Sequence, residues 1–298
     1  MRKTVSIILS LTCSIFLFGQ KIDKKLQRNI EQEIQGFNGD IGIYVKNLRT
    51  GKTISINADT IFPTASIVKV PILIGIMDKI QKAELNYDSA LIYKDSLLYE
   101  GVDILGSFKS EEKILLKKVM MLMLTTSDNT ASLWLQSLAG TGTRINEILD
   151  SLGLVYTRVN SRTPGRENNR TQFGWGQTTP KEMGNLLEKI YRGEIFSVAA
   201  CDRMMRCLGR NYWDLNEAIS QIPPYIKVFS KNGCVNASRS EVIVVNAPHN
   251  PYIFCIFTKN NKDTQWTREN EAWTMARKIS LLLWRYFEPK DKWAPTPK

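Results

Sequence analysis

Ser66 and Lys69 stand three residues apart in the segment Thr64-Ala-Ser66-Ile-Val-Lys69-Val-Pro-Ile-Leu73. If this segment opens a helix, the two side chains share a face. A serine in the first turn lies among free N–H groups and positive potential, which favour a developing oxyanion. A neighbouring amine that is partly deprotonated can take the serine proton, which is the Ser-Lys alternative to a triad. The same spacing also describes a serine cap beside an exposed lysine. Two features argue for more. Ile67, Val68, Val70, Ile72 and Leu73 make the segment apolar on nearly all sides, so Lys69 would be costly to bury without a purpose. Pro71 breaks a local helix rule within the first turns, and such conflicts cluster at functional sites.

Two further groups could join this pair. Ser127-Asp128-Asn129 lies between two apolar helical segments, where it also reads as an N-cap for a helix starting near Thr130. Lys231-Asn232-Gly233 ends a strand pattern at 225–231, where it also reads as a turn. The one histidine, His249, sits in Asn246-Ala-Pro-His249-Asn250, a turn between two strands. A His-rich zinc hydrolase is therefore not expected, and a Ser-His-Asp triad would hang on a turn residue. With no CxxC or Cys/His cluster, neither a metal nor a cofactor is expected.

Taken in order, Ser-x-x-Lys, Ser-Asp-Asn and Lys-x-Gly resemble the motif set of class A β-lactamases and penicillin-binding proteins across nearly the whole chain after the first twenty residues. Thr178-Thr-Pro180-Lys-Glu-Met183 is similar to the end of that superfamily's Ω-loop. The resemblance implies Ser66 as nucleophile and Lys69 and Ser127 as proton relays. It gives substrate-binding roles to Asn129, Lys231, Asn232, Gly233, the backbone of Cys234, the aromatic gate Tyr99 and Arg239, with the last paired to Lys231 around one carboxylate. The oxyanion hole would be the N–H groups of Ser66 and Cys234. There are two departures. Asn232 replaces the usual Thr or Ser. In the loop Asn160-Ser-Arg-Thr-Pro-Gly-Arg-Glu-Asn168, matching Arg162 and Asn168 to the loop's usual residues puts Pro164 where hydrolytic members carry a water-positioning glutamate. Glu167, three residues on, is the substitute candidate or else a solvated carboxylate. The implied activity is β-lactam opening through an acyl-enzyme. A D-alanyl-D-alanine peptidase or a sensor that stays acylated is the alternative.

The elements that must hold these residues follow from periodicity. Ile22, Leu26, Ile30 and Ile34 mark a helix over 22–36. Residues 40–46 and 52–57 read as a hairpin. Apolar helical periodicity runs near 66–83, 113–124, 129–138, 144–152 and 180–191; strands return at 225–231, 239–246 and 251–258; a last helix spans about 266–286. Strands joined by short turns make an antiparallel sheet, and the terminal helices should cover its outer face. The expected architecture is α+β. A sheet lobe (21–62 and 221–298) meets a mainly helical lobe (63–220), with the site in the cleft between them.

Bulk properties bound the rest. The 298 residues are 43% hydrophobic, ample for a core without a metal or disulfide. Arg2 and Lys3 precede an apolar run from Val5 to Phe18, the pattern of an export signal over 1–20 and too short for a comfortable span. Thr12 before Cys13, and the apolar run beyond it, argue against lipidation. The expected product is a secreted or periplasmic monomer acting on a small molecule, with no membrane anchor after cleavage. The net charge of +11 is scattered, with no aromatic–basic stripe, so a solvated basic surface is expected rather than a nucleic-acid partner. Cys201 and Cys207 share a helix, where a separation of ~9 Å forbids a bridge. Cys234 and Cys255 could meet on neighbouring strands.

Overall fold

Alternation along the strands gives the sheet two buried faces. The structure, a computed structural model, describes residues 21–101 and 103–295; the export-signal reading of residues 1–20, with Cys13, lies outside them. Five antiparallel strands run in the order Thr53–Ile56, Asp40–Asn47, Tyr252–Lys259, Ser238–Val245 and Val228–Val235. Ile43, Val45, Ile243 and Phe254 face the helices Lys24–Glu33 and Glu271–Phe287, meeting Leu26, Ile30, Ile279 and Leu283. Their strand neighbours Tyr44, Val242, Val244 and Phe257 face the helical half of the chain, as the two-residue period of a strand requires.

The expected elements are present with shifted ends. The segment at 66–83 begins as a 3-10 turn, Ala65–Val68, and continues as the helix Lys69–Gln81. Every residue from Lys69 to Asp78 in it is buried. The segment at 113–124 is a short strand, Lys113–Leu115, then the helix Leu116–Met121, then a π-turn, Leu122–Thr126. The local sequence explains several starts. Asp128 caps the helix Asn129–Leu138 by accepting from the Ala131 N–H at 2.7 Å. Thr179 caps Pro180–Tyr191, with proline in the first turn where its missing N–H costs nothing.

The cysteine expectation needs correction. The Val228–Val235 and Tyr252–Lys259 strands are separated by Ser238–Val245, so Cys234 and Cys255 are not neighbours, and all four described cysteines are free. Cys201 and Cys207 do share one helix, Val198–Leu208. His249 is a turn residue whose Nδ1 lies 2.6 Å from the Glu288 carboxylate. No helix among the described residues is long and apolar enough to cross a membrane.

Candidate active site

Lys69 is the centre of the site. It starts the buried central helix, has no exposed surface, and its Nζ lies 2.8 Å from Ser66 Oγ, 3.1 Å from Ser127 Oγ, 2.8 Å from the Ser127 carbonyl and 3.0 Å from Asn129 Oδ1. Residues from two of the sequence groups therefore converge on one amine. Burial holds the Lys69 pKa well below the ordinary lysine value, and the Lys231 ammonium adds to this; the Asp128 carboxylate opposes them. The neutral amine has two N–H donors and a lone pair. The Ser127 carbonyl and Asn129 Oδ1 can only accept, so they take the two donors. The lone pair is then left for a hydroxyl proton, and Ser66 is within reach of it.

Backbone strain sets these side chains. Ala65, just before the nucleophile candidate, has φ +43°, and Ser127 has φ +63° at the end of the π-turn. Both lie in the left-handed region that L-residues rarely adopt and that recurs at functional sites. Asp128 locks the second segment in place. Besides capping its helix, it accepts from the N–H groups of Ile104 and Leu105 at 2.6 and 2.8 Å, which pins the loop before it. The cap reading and the site reading of Ser127-Asp128-Asn129 thus hold together, with different residues serving each.

The third group approaches from the sheet. Gly233 is required there: a Cβ would come within 2.3 Å of the Thr64 carbonyl and 3.1 Å of the Ile67 nitrogen, so the edge strand can lie against the Ser66 turn only without a side chain. Lys231 is fully buried, its pKa pushed down to about 8 by burial. Its Nζ donates to the carbonyl and Oδ1 of Asn232 at 2.8 and 3.1 Å.

Two cavities flank Ser66, and both are lined by Ser66 and Cys234. One, about 570 Å³, runs past Asn129 to Tyr99 and Trp175, whose rings meet edge-to-face at 5.2 Å. The other, about 550 Å³, runs past Ser127 and Asn232 to Glu217 and the rings of Tyr212, Trp213, Trp266 and Trp273. Ser66, Ser127, Asn129, Asn232, Cys234 and Tyr99 all line one or both of these cavities.

Two expected residues are elsewhere. Glu167 opens the short helix Glu167–Phe173, is exposed, and accepts from the Gly165 N–H at 3.1 Å. It lines neither cavity. The loop instead closes on its own amides: Arg166 and Asn169 both donate to Gln177 Oε1, at 2.9 and 3.1 Å. Arg239 is opposite Cys234 rather than beside Lys231. Its guanidinium lies 4.1 and 4.8 Å from the rings of Trp266 and Trp273 and donates to the Gln265 carbonyl at 3.0 Å. It braces the cavity wall. The pairing with Lys231 fails because alternate residues of a strand face opposite ways and the guanidinium is already held.

Sequence reading missed Glu217, Glu241 and Trp175. Glu241 was detectable, being a lone carboxylate within Ser238–Val245, where all eight residues are buried. It stands opposite Asn232 and accepts from the N–H groups of Ala218 and Ile219 at 2.6 and 3.3 Å. Those two N–H groups belong to the 3-10 turn Ala218–Gln221, which Glu217 precedes; Glu217 accepts from Asn232 Nδ2 at 3.1 Å.

Known proteins resemble this chain in sequence and in fold. A model of the Beta-lactamase enzyme family matches residues 24–287. β-Lactamase VEB-1 of Pseudomonas aeruginosa is 22% identical over 96% of this chain and 98% of its own length. β-Lactamase ROB-1 of Haemophilus influenzae is 25% identical over 81% and 76%. Among solved structures, PBP-A superposes with a TM-score of 0.80 at 23% identity, covering 91% of this chain and 98% of that one. A mutant of PBP-A has been solved as an acyl-enzyme complex with penicillin G.

Proposed function

The chain belongs to the β-lactamase enzyme family, and on that premise we propose that it is a serine hydrolase that opens β-lactam amides through an acyl-enzyme on Ser66. The observation that carries this is the buried Lys69 amine touching Ser66, Ser127 and Asn129 at once. In the first half-reaction Lys69 accepts the Ser66 proton as Oγ attacks the lactam carbonyl. The N–H groups of Ser66 and Cys234 receive the oxyanion. Ser127, in contact with the same amine, passes the proton to the leaving nitrogen as the C–N bond breaks. Asn129 donates to the acyl side chain in the Tyr99–Trp175 cavity.

The second half-reaction needs a water held by a base, and here a second reading has support. The only carboxylate of the segment 160–177, Glu167, is exposed and outside both cavities. Deacylation then falls to Lys69, which makes the enzyme slow to release its acyl group, in the manner of a penicillin-binding peptidase. The pattern of residues 1–20 supports a site of action outside the cytoplasm.

Incubating the purified chain with benzylpenicillin should add the drug's mass to the peptide containing Ser66. The adduct should persist for many minutes, and Ser66→Ala should abolish it. An adduct on another residue, or none with any β-lactam, would sink the assignment.

A further inference from the structure

The cavity of about 570 Å³ that holds Tyr99 and Trp175 has a cation in its wall that the chemistry at Ser66 does not use. Lys259 ends the central strand Tyr252–Lys259, is half-buried, and is the one charged residue among those lining this cavity. Its Nζ donates to the Ile61 carbonyl at 2.9 Å and lies 5.0 Å from the centre of the Phe62 ring. An ammonium has three donors, so this bond positions the group and leaves two donors over. The nearest strand partner that could neutralise it, Asp40, accepts instead from Asn260 Nδ2 at 2.7 Å. Lys259 takes part in no ion pair among the described residues. A second polar group in the same wall is also unspent. Ser238 lines the cavity, is 2% exposed, and its Oγ has no hydrogen-bond partner among the described residues. A buried hydroxyl left in that state costs free energy that a ligand oxygen would recover. The facing wall is made of Tyr99, Phe173 and Trp175. Rings suit an apolar stem and do not hold an anion by their faces, so an anionic end falls to the sheet side.

We propose that this cavity selects substrates whose acyl side chain ends in a carboxylate, with Lys259 and Ser238 as the residues that bind it; the inference rests on acyl transfer at Ser66 and names the substrate class of that reaction. The side chain runs its apolar stem along the rings and places its charged end on the two spare ammonium donors and the Ser238 hydroxyl. Because Lys259 is half-buried rather than enclosed, solvent screens the pair in part, and the preference is modest in size.

The test uses two penicillins that differ in one charge: 6-aminopenicillanic acid acylated by one end of adipic acid, and the same compound with the far carboxyl as a primary amide. The rate of Ser66 adduct formation is followed by intact mass at low ligand concentration. The acid should react about fivefold faster than the amide. Lys259→Met should bring that ratio close to one, and Lys259→Glu should reverse it. Both rates come from one sample, so a partly unfolded variant still gives a true ratio. In parallel, the two compounds are titrated against tryptophan fluorescence in Ser66→Ala, which cannot be acylated. The acid should bind more tightly by a similar factor, and the added change Lys259→Glu should remove that advantage. An acid that reacts and binds no better than the amide, or a preference that survives Lys259→Glu, overturns the proposal. Lys259-dependent binding of the acid with no acylation of the native chain by either compound would leave the cavity assignment standing and overturn the hydrolase reading instead.

Discussion

Lys69 is asked to do something an ordinary lysine cannot. At neutral pH an exposed lysine is an ammonium with no lone pair, and the four oxygens around Nζ would only hold it charged. Burial and the nearby Lys231 act against that, and the pKa is lowered. The sign of the pH effect follows. Acylation should rise as pH climbs through the lowered Lys69 pKa and fall away below it, because the protonated amine can no longer accept from Ser66. The ascending limb of the acylation rate, measured by stopped flow from pH 5 upwards, should therefore lie well under the usual lysine range. Lys69→Met keeps the length of the side chain and removes the base. It should slow acylation by about 100- to 10,000-fold, read as adduct formation in a variant whose circular dichroism is native. A fast Lys69→Met variant would move the base elsewhere.

Two elements decide whether Lys69 has anything to act on. The edge strand Val228–Val235 must lie against the Ser66 turn, and Gly233 makes that approach possible. In Gly233→Ala the new methyl meets main-chain atoms, which cannot rotate away as a side chain could. The strand or the turn must shift, and a shift near 1 Å at a reacting centre costs about 100-fold. Acylation of Gly233→Ala should fall by about that factor, while a Ser240→Ala control on the paired strand falls far less. The loop Asn160–Gln177 is the second element. Its polar side chains bond to each other around Gln177, and its one carboxylate faces solvent. Glu167→Gln should accordingly leave both the acylation burst and the slow release rate within about twofold of the native chain, since exposed substitutions away from special contacts change little. Accumulation of acyl-enzyme in Glu167→Gln beyond the native level would bring the loop back into the mechanism.

At the scale of the whole molecule, two cores meet at one sheet. The face toward the helical half packs against the helix Pro180–Tyr191 and, at its edge, the Ser66 turn, and the opposite face packs against the terminal helices. The contacts of Lys69 with Ser66, Ser127 and Asn129 lie on the first side. Leu283→Ala, in the second core, should cost about 2–5 kcal/mol of stability, measured as a lowered urea midpoint. The folded fraction should still acylate at Ser66 with a near-native rate. A parallel loss of acylation rate would mean that the terminal helices transmit strain through the sheet to the edge strand.

By itself the sequence determined the order and types of the main elements and the antiparallel sheet with its terminal helices, and its ordered motifs singled out Ser66, Lys69, Ser127 and Asn129 by their resemblance to a known set. The elements were legible because they rest on local physics. Helical and strand periods are written in neighbouring residues, and a lysine in an apolar helix start signals its own cost. The tertiary structure decided what depends on distant partners. Whether a carboxylate in the loop faces Ser66 or water is set by how residues 160–177 close on Gln177. Whether Arg239 helps Lys231 is set by two tryptophans 27 and 34 positions further along. That Glu217 sits beside Asn232 depends on Glu241, on another strand, accepting the backbone of the turn between them. The charge a cleft presents is a sum over side chains brought in from separate segments, and Coulomb energies depend on distances that no spacing along the chain encodes.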